Sequence, residues 1–406
     1  MSRLLLLFSF AFMMSGLTGT YPLFEKGKRP LQKVSPPKKT NPKYHPLSAM
    51  QCKKCHTTVY NQWKKSRHAQ AYTNRLFQVA LIHGPYRWCI HCHAPLPEQF
   101  NELLPVMRFY HPKKKVPAYV HPTTLPAKST TRPSKATSRP AKVASRPSKV
   151  ARKYPPLHKE GVNCAACHIR NGVILTSKAP TEFAKNIHPI KQDKRFGTSQ
   201  YCAGCHQFNF VKKLTDPIHR IKVPTQNTLQ EWLQSHASKQ GKTCQSCHMP
   251  KGSHFFPGSH NISFLKKSIS AKVHFIHNQK LQVVLRTHGV GHSVPTGDPF
   301  RRLRLMLCQD KACKKLIRHF YLRRIFRTKN NQLAPFVDFR IPPPKKSLSG
   351  KLAFKPTLPK PYQKVYWRLY YYYAEHHHHR FLSDKEKRTL VVQGNCSLKK
   401  KSKKKK

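Results

Sequence analysis

Five copies of one pentad stand in the chain: Cys52-Lys-Lys-Cys55-His56, Cys89-Ile-His-Cys92-His93, Cys164-Ala-Ala-Cys167-His168, Cys202-Ala-Gly-Cys205-His206 and Cys244-Gln-Ser-Cys247-His248. Two thiols at this spacing reach the two vinyl groups of one porphyrin, and the imidazole that follows turns under the ring to bind its iron. Each pentad therefore predicts one covalently attached c-type haem, five in all. With 13 Cys and 26 His in 406 residues, only about 0.03 such pentads are expected by chance. Zinc sites also use Cys-x-x-Cys, but they draw four ligands from two half-sites and need no His after each pair. The reading gives ten cofactor-binding thiols, Cys52, Cys55, Cys89, Cys92, Cys164, Cys167, Cys202, Cys205, Cys244 and Cys247. It also gives five proximal iron ligands, His56, His93, His168, His206 and His248.

The segments that must position these groups are short. Successive pentads begin 37, 75, 38 and 42 residues apart. The longest interval holds residues 112–153, where Arg132-Pro-Ser-Lys-Ala-Thr-Ser recurs as Arg139-Pro-Ala-Lys-Val-Ala-Ser and Arg146-Pro-Ser-Lys-Val-Ala-Arg. A proline in each repeat and no core-forming side chain predict a disordered basic insertion. Removing its 42 residues leaves 33, close to the other intervals. Units of about 40 residues are too small for ordinary cores, so porphyrin must supply much of the buried apolar surface and folding should depend on haem attachment. After the first pentad, Val59, Tyr60, Trp63, Tyr72, Leu76, Phe77, Ala80 and Leu81 recur at helical intervals, which predicts one long helix or two short ones. A further short helix is expected over Thr228 to Lys239, and strand signals are scarce. Beyond Ser268 the pattern changes to branched and aromatic runs, Ala271 to Ile276, Leu281 to Thr287, Arg302 to Leu307 and Val365 to Tyr373, separated by turn residues. The run Tyr370 to Tyr373 does not alternate and reads as a strand wet on one face or as an interaction surface.

Arg3, the apolar run Leu4 to Met14 and the small, polar residues up to Thr20 have the layout of a secretory signal peptide, so residues 1–20 are expected to be removed on export. The run is too short to span a bilayer, and an uncleaved anchor is the alternative. The mature chain is expected to be periplasmic or otherwise exported. Cys308, Cys313 and Cys396 lie outside the pentads; Cys308 and Cys313 could close a small disulfide loop, and a bridge from Cys396 to either is equally open. The 77 basic and 14 acidic residues give a net charge of +63, which five ferric haems lower by about 5. Such a field favours an acidic redox partner protein, an anionic membrane surface or a small anionic substrate. Export and haem attachment argue against nucleic acid. The Lys-rich tail, residues 398–406, is expected to be disordered.

Twenty-one His lie outside the proximal positions; His376 to His379 read as a solvent-exposed cluster, leaving 17 candidates for the far side of an iron. His68 stands twelve residues after His56, about 18 Å along the axis if the segment is helical, so it would serve a neighbouring haem rather than the one His56 holds. His236 has a parallel setting, Trp232-Leu-Gln-Ser-His-Ala against Trp63-Lys-Lys-Ser-Arg-His-Ala, with one residue fewer. His254 and His260 follow the fifth pentad closely, whereas His188 stands alone before Pro189. The first pentad followed by Tyr60, Trp63, Ser66, His68 and Ala69 resembles the multihaem cytochromes related to cytochrome c-554, a group associated with hydroxylamine oxidoreductase and octahaem tetrathionate reductase. The resemblance covers Met50 to about Phe264 and implies His68 as a distal ligand. Three phrases resemble those of exported multihaem proteins, His158-Lys-Glu-Gly-Val-Asn-Cys164, Cys247-His-Met-Pro and Gly291-His-Ser-Val-Pro-Thr-Gly297, and the resemblance implies His158 and His292 as distal ligands. From the residues alone, Ser293 to Asp298 is first a turn between strands, and His292 is either a ligand or part of that turn.

The expected fold is a mainly α multihaem cytochrome c domain with little regular strand over residues 44–267, followed by a small antiparallel, sandwich-like β domain over residues 268–397. Two functions compete. An electron carrier would close most irons with two His, because a six-coordinate iron does not bind substrate readily. An oxidoreductase would leave one haem open to a small anion such as nitrite, hydroxylamine or tetrathionate. Five His-type pentads, with no Cys-x-x-Cys-Lys variant and fewer motifs than an octahaem enzyme, favour the carrier. The β domain as a partner-binding scaffold is a third reading.

Overall fold

The computed structural model describes residues 43–83, 87–107, 154–213, 216–329, 332–347 and 349–398; the expected leader, the basic insertion and the Lys tail beyond Leu398 lie outside them. The pentad region is built from short helices, α1 (Ala49–Lys53), α2 (Thr57–Lys64), α3 (Arg75–His83), α4 (Arg87–His93), α5 (Pro97–Met107), α6 (Cys164–His168), α7 (Glu182–Ile187), α8 (Ser199–His206), α9 (Thr228–Leu233), α10 (His236–Lys239), α11 (Cys244–His248) and α12 (Ile262–Ser268). Four pentads lie within α4, α6, α8 and α11, and the first runs from α1 into the turn before α2. Side-chain caps fix some of these starts: Asn163 accepts from the Ala166 amide at α6 and Thr243 from the Ser246 amide at α11. The segment after the first pentad forms two helices, α2 and α3, so His68 lies in the turn between them.

The same region holds more strand than its sequence suggests. β1 (Ile169–Arg170), β2 (Val173–Thr176) and β3 (Ile190–Gln192) form one small sheet, and β4 (Gln207–Lys213) pairs with β5 (Asp216–Asn227). Each pair of strands starts directly after a pentad helix; β1 to β3 are two to four residues long, too short to show alternation, and β4 and β5 are interrupted by polar residues and proline. "Mainly α" is therefore corrected to a mixed architecture.

From Ile269 the chain is sheet-rich, with β6 (Ile269–His277), β7 (Lys280–Thr287), β8 (Arg302–Cys308), β9 (Leu316–Leu322), β10 (Arg324–Lys329), β11 (Gln332–Asp338), β12 (Lys351–Phe354), β13 (Lys364–Tyr372) and β14 (Arg388–Ser397), plus a short helix α13 (Asp384–Lys387). Antiparallel sheets β12-β7-β6 and β14-β13-β8-β9 share one core, in which Leu281, Val283, Leu285, Leu303, Leu305 and Leu369 are fully buried. A disulfide joins Cys308 to Cys313 at the β8–β9 turn, and Cys396 on β14 is a free thiol. The His376–Phe381 stretch is a 3₁₀ turn packed on this sheet; His376 is exposed as expected, whereas His378 is buried and His379 stacks on Tyr372 at 5.7 Å.

Cores differ between the two regions. Twenty buried residues form the sheet core, whereas the pentad region has separate clusters of six, four and three: Leu47 with Leu96, Ile90 with Phe100, and Tyr60 with Trp63 typify them. What ties these small clusters together is the phrase Leu157 to Asn163. Glu160 accepts from the Ala49 amide, Asn163 donates to Leu47 O, Gln99 donates to Leu157 O and Gly161 O, and Trp63 Nε1 donates to Val162 O at 2.8 Å. Gly161 sits at φ +59°, and a Cβ there would come within 2.6 Å of His68 O.

Two outcomes follow from these contacts. Leu305→Ala empties a fully buried site and should lower stability by about 2–5 kcal/mol in chemical denaturation of the holoprotein. Gly161→Ala meets both a left-handed backbone and the His68 main chain, so it should cost at least about 2 kcal/mol, visible as a fall in Tm.

Candidate haem sites

A cavity of about 2400 Å³ runs through the pentad region, well beyond the roughly 300–1,000 Å³ of an ordinary small-molecule pocket. Nine of the ten pentad thiols line it, all but Cys89, together with the five pentad imidazoles His56, His93, His168, His206 and His248. His68, His188, His254, His260 and His292 line it as well, while His158 and His236 stand outside the lining.

Three pentad imidazoles face a second imidazole at nearly one separation. Ring centres lie 6.4 Å apart for His206 and His68, 6.1 Å for His168 and His254, and 6.3 Å for His248 and His292. A metal–nitrogen bond of about 2.0 Å on each side, plus about 1.1 Å from each nitrogen to its ring centre, puts two trans imidazoles about 6.2 Å apart. The pairs therefore have the spacing needed to hold one iron between them.

Orientation is set by main-chain carbonyls. Nδ1 of His93 donates to Ala71 O at 2.7 Å, that of His168 to Leu175 O at 2.9 Å, and that of His248 to Pro257 O at 2.6 Å. His254 and His292 do the same with Gly252 O and Ser293 O, both at 2.9 Å. A carbonyl only accepts, so Nδ1 carries the proton and Nε2 keeps its lone pair for a metal. Burial pushes the pKa of His68 down to about 3 and those of His93, His168 and His206 down to about 4, so these rings are neutral donors at neutral pH. The loop after α11 serves several sites at once: Gly252 and Pro257 supply carbonyls, and Phe256, at φ +47°, packs edge-on against His68 at 4.3 Å and His254 at 5.7 Å.

The pentads meet out of chain order. The Cys52 thiol pairs with that of Cys164, Cys202 with Cys244, and Cys205 with Cys92. First and third, fourth and fifth, and second and fourth pentads are thus neighbours. A repeated clamp accompanies two of these contacts. Trp63 Nε1 donates to Val162 O and Trp232 Nε1 to Lys242 O, each at 2.8 Å and each two residues before a pentad. Ser66 and Ser235 accept from the amides three residues on in both copies. The Trp-x-x-Ser parallel is thus structural, although His68 of the first copy lines the cavity and His236 of the second does not.

His292 belongs to the sheet-rich region and reaches the cavity because its loop is bolted to α9. Buried Glu231 accepts from the Ser293 amide and Thr296 Oγ1 and pairs with Arg340 Nη1 at 2.7 Å; Arg340 also binds Asp338 and Pro295 O. Gly291 packs so closely on Ala237 that a Cβ would stand 2.9 Å from its methyl. His158 is held differently, with Nδ1 at 2.7 Å from Glu102 Oε2 and its ring edge-on to Tyr72 at 4.9 Å. Although burial opposes it, bonds from the His158 ring and from the His158 and Leu157 amides keep the Glu102 carboxyl below its usual value.

Sequence reasoning passed over His188. Its Nδ1 is buried without a hydrogen-bond partner, and the ring lines the cavity. The Pro189 carbonyl accepts from Ile174, beside the Leu175 that holds His168. The signal was slight: an isolated His between Ile187 and Ile190, in a segment without a pentad. Glu231 was equally silent, because an acid within a short helix reads as surface.

Residues 51–103 match the family of cytochrome c554 and c-prime. The whole fold is similar to a penta-heme cytochrome c552 from Thermochromatium tepidum, with TM-score 0.56 and 19% identity over 86% of this chain and 98% of that one. No curated protein matches the chain. With the pentads around one cavity, the paired neutral imidazoles and the fold likeness together, the residues fit covalently attached c-type haems. Residues 51–103 thus match the cytochrome c554 and c-prime family, and the fold over 86% of the chain is like that of a penta-heme cytochrome c552.

Proposed function

We propose that this protein is an exported pentahaem electron carrier. The observation that carries the reading is the recurring imidazole pair at 6.1–6.4 Å. In this assignment His56, His93, His168, His206 and His248 are the proximal ligands of five irons. His254 would pair with His168, His68 with His206, and His292 with His248 in holding an iron. Covalently bound haem supplies one-electron redox chemistry at a potential tuned by its surroundings. The protein's part would be to offer imidazoles to the irons, exclude water with an apolar lining and hold the pentads as neighbours, the third and fourth being joined by Tyr201 Oη, which donates to Cys167 O.

His188 completes the first site by reciprocity. The His254 amide bonds Gln62 Oε1 on α2, the helix that follows His56, so the distal residue of the third site rests on the proximal side of the first. His188 in turn follows the segment anchored beside Leu175, on the proximal side of the third site. We assign His188 to the iron of His56. The sixth position on the iron of His93 is left unassigned, with His158, His236 and His260 outside the four pairs.

A second reading, turnover of a small anion such as nitrite or hydroxylamine at a haem open on one face, has one feature in its favour. Arg67, Arg301, His260 and Tyr373 line the cavity together, with Arg67 Nη2 3.4 Å from His260 Nε2 and His260 stacked on Tyr373 at 4.0 Å. Cationic donors of this kind also suit haem propionates.

Magnetic spectroscopy on the ferric holoprotein separates the readings. Five covalent haems are expected, at least the four paired irons low-spin, with no change on adding nitrite; a haem that binds nitrite would favour the anion enzyme. His292→Ala should keep the haem count and convert one low-spin signal to high-spin, whereas an unchanged spectrum would remove His292 from the iron. Glu231→Gln, which loosens the His292 loop and unpairs Arg340, should produce part of the same change and lower the Tm.

A further inference from the structure

We propose that the outer face of the β14-β13-β8-β9 sheet is a docking surface for an acidic protein. One face of this sheet is the core, through Leu303, Leu305, Leu307, Trp367, Leu369 and Tyr371. The other carries arginine against tyrosine across the strands. Arg304 on β8 stands opposite Tyr321 on β9 and Tyr370 on β13, and Tyr372 on β13 stands opposite Arg302 on β8 and Arg388 on β14. Three guanidinium groups surround one ring: Arg304, Arg302 and Arg323 lie 5.5, 5.7 and 5.9 Å from the centre of Tyr321. Arg388 lies 4.8 Å from Tyr370. Tyr321 is 38% exposed, and Phe339, whose amide bonds Arg323 O, is 46% exposed beside it.

Gathering like charges around one exposed ring is costly unless something of opposite charge completes the cluster. Arg302 is buried and donates to Ala374 O and Phe300 O, but two observations say that the chain does not complete the cluster at Arg304 and Arg323. The Nε atoms of Arg304 and Arg323 are buried and have no hydrogen-bond partner. Of the carboxyl groups that bear on this face, Asp384 is taken by Arg388 at 3.1 Å. Glu375, itself buried, acts on Arg302 and Arg323, and burial pushes its carboxyl up to about 8. Guanidinium forks held over tyrosine rings match carboxylates in a fixed geometry, and arginine with tyrosine is the composition of energetic centres in protein interfaces. A membrane-binding face would instead offer flexible lysines and inserting apolar side chains. The occupant is therefore a protein surface bearing Asp and Glu.

The surface also lies next to the cavity. Tyr371, from the inner face of β13, and Tyr373, just past its end, line the cavity, while Tyr370 stands on the outer face and Tyr372 lies under His379, so a partner docked at Tyr321 and Tyr370 is one strand away from the haem sites. Calling that partner a redox protein rests on the electron-carrier reading; the docking does not.

The test uses the full holoprotein, a fluorescent glutamate-rich peptide and phosphatidylglycerol vesicles at physiological salt. Arg304→Gln with Arg323→Gln should weaken peptide binding at least about tenfold, while Lys351→Gln with Lys355→Gln, which removes the same charge from and beside β12, should weaken it less than about twofold. Equal weakening in the two double variants overturns the proposal, as does a loss of vesicle binding with peptide binding intact. Should the arginine variant fold poorly, hydrogen exchange on the unaltered protein decides: the peptide should protect Leu316–Leu322, and no protection overturns the site. Spin state and haem content, read on the same samples, report on the carrier reading separately.

Discussion

The interaction on which the rest of this structure depends is the hydrogen bond from a histidine Nδ1 to a main-chain carbonyl. It appears at His93, His168, His248, His254 and His292, and in each case it forces the proton onto one nitrogen and frees the other. A carbonyl can do this only where its own backbone leaves it unpaired and aimed inward. That demand explains elements which packing alone would not. β2 presents Leu175 O to His168 while pairing with β1 and β3. Phe256 adopts a left-handed backbone in the loop that turns Pro257 O toward His248. The turn that ends α2 at Lys64 brings Ala71 O to His93 and His68 to His206.

A region organised by such bonds does not need one large core, and it has none among the described residues. Its apolar clusters are small and lie around the cavity, linked by polar contacts such as the Trp63 and Trp232 clamps. This is the physical content of the short pentad spacing: each unit buries its apolar side chains against a shared cofactor space rather than against itself. The units nevertheless meet in the order first with third, second with fourth and fourth with fifth. Intervals along the chain could reveal that the units are similar but not which ones touch, because clamps made by single indole donors leave no periodic trace.

The sequence was most legible where chemistry or burial repeats. The pentads announced themselves by residue type, and β6, β7, β8 and β13 followed from branched and aromatic runs. β13 also shows why Tyr370 to Tyr373 concealed its alternation: tyrosine suits a core with its ring and a wet face with its hydroxyl, so identical residues serve opposite faces. What escaped were single polar groups whose role depends on a distant partner. Nothing around His188 marks it as facing the cavity, and nothing in Thr228 to Leu233 marks Glu231 as the anchor of a loop 62 residues away. Of the strands of the pentad region, β2 holds the Leu175 carbonyl for His168, and a backbone acceptor has no signature in side-chain pattern.

Glu231 also bears on why a buried charge joins the two regions. An apolar contact of equal volume would be no less stable, since desolvating Glu231 and Arg340 offsets much of their attraction. It would not, however, fix the loop's angle. One carboxylate that accepts from the Ser293 amide and Thr296 Oγ1 while pairing with Arg340 constrains the loop from three directions, and Arg340 carries that constraint on to Pro295 O and Asp338. His292 must meet His248 across a gap defined to within a few tenths of an ångström of the other two pairs. Directional bonds can meet that tolerance where apolar packing would let the loop slide, and Gly291, with no room for a Cβ against Ala237, sets the remaining coordinate.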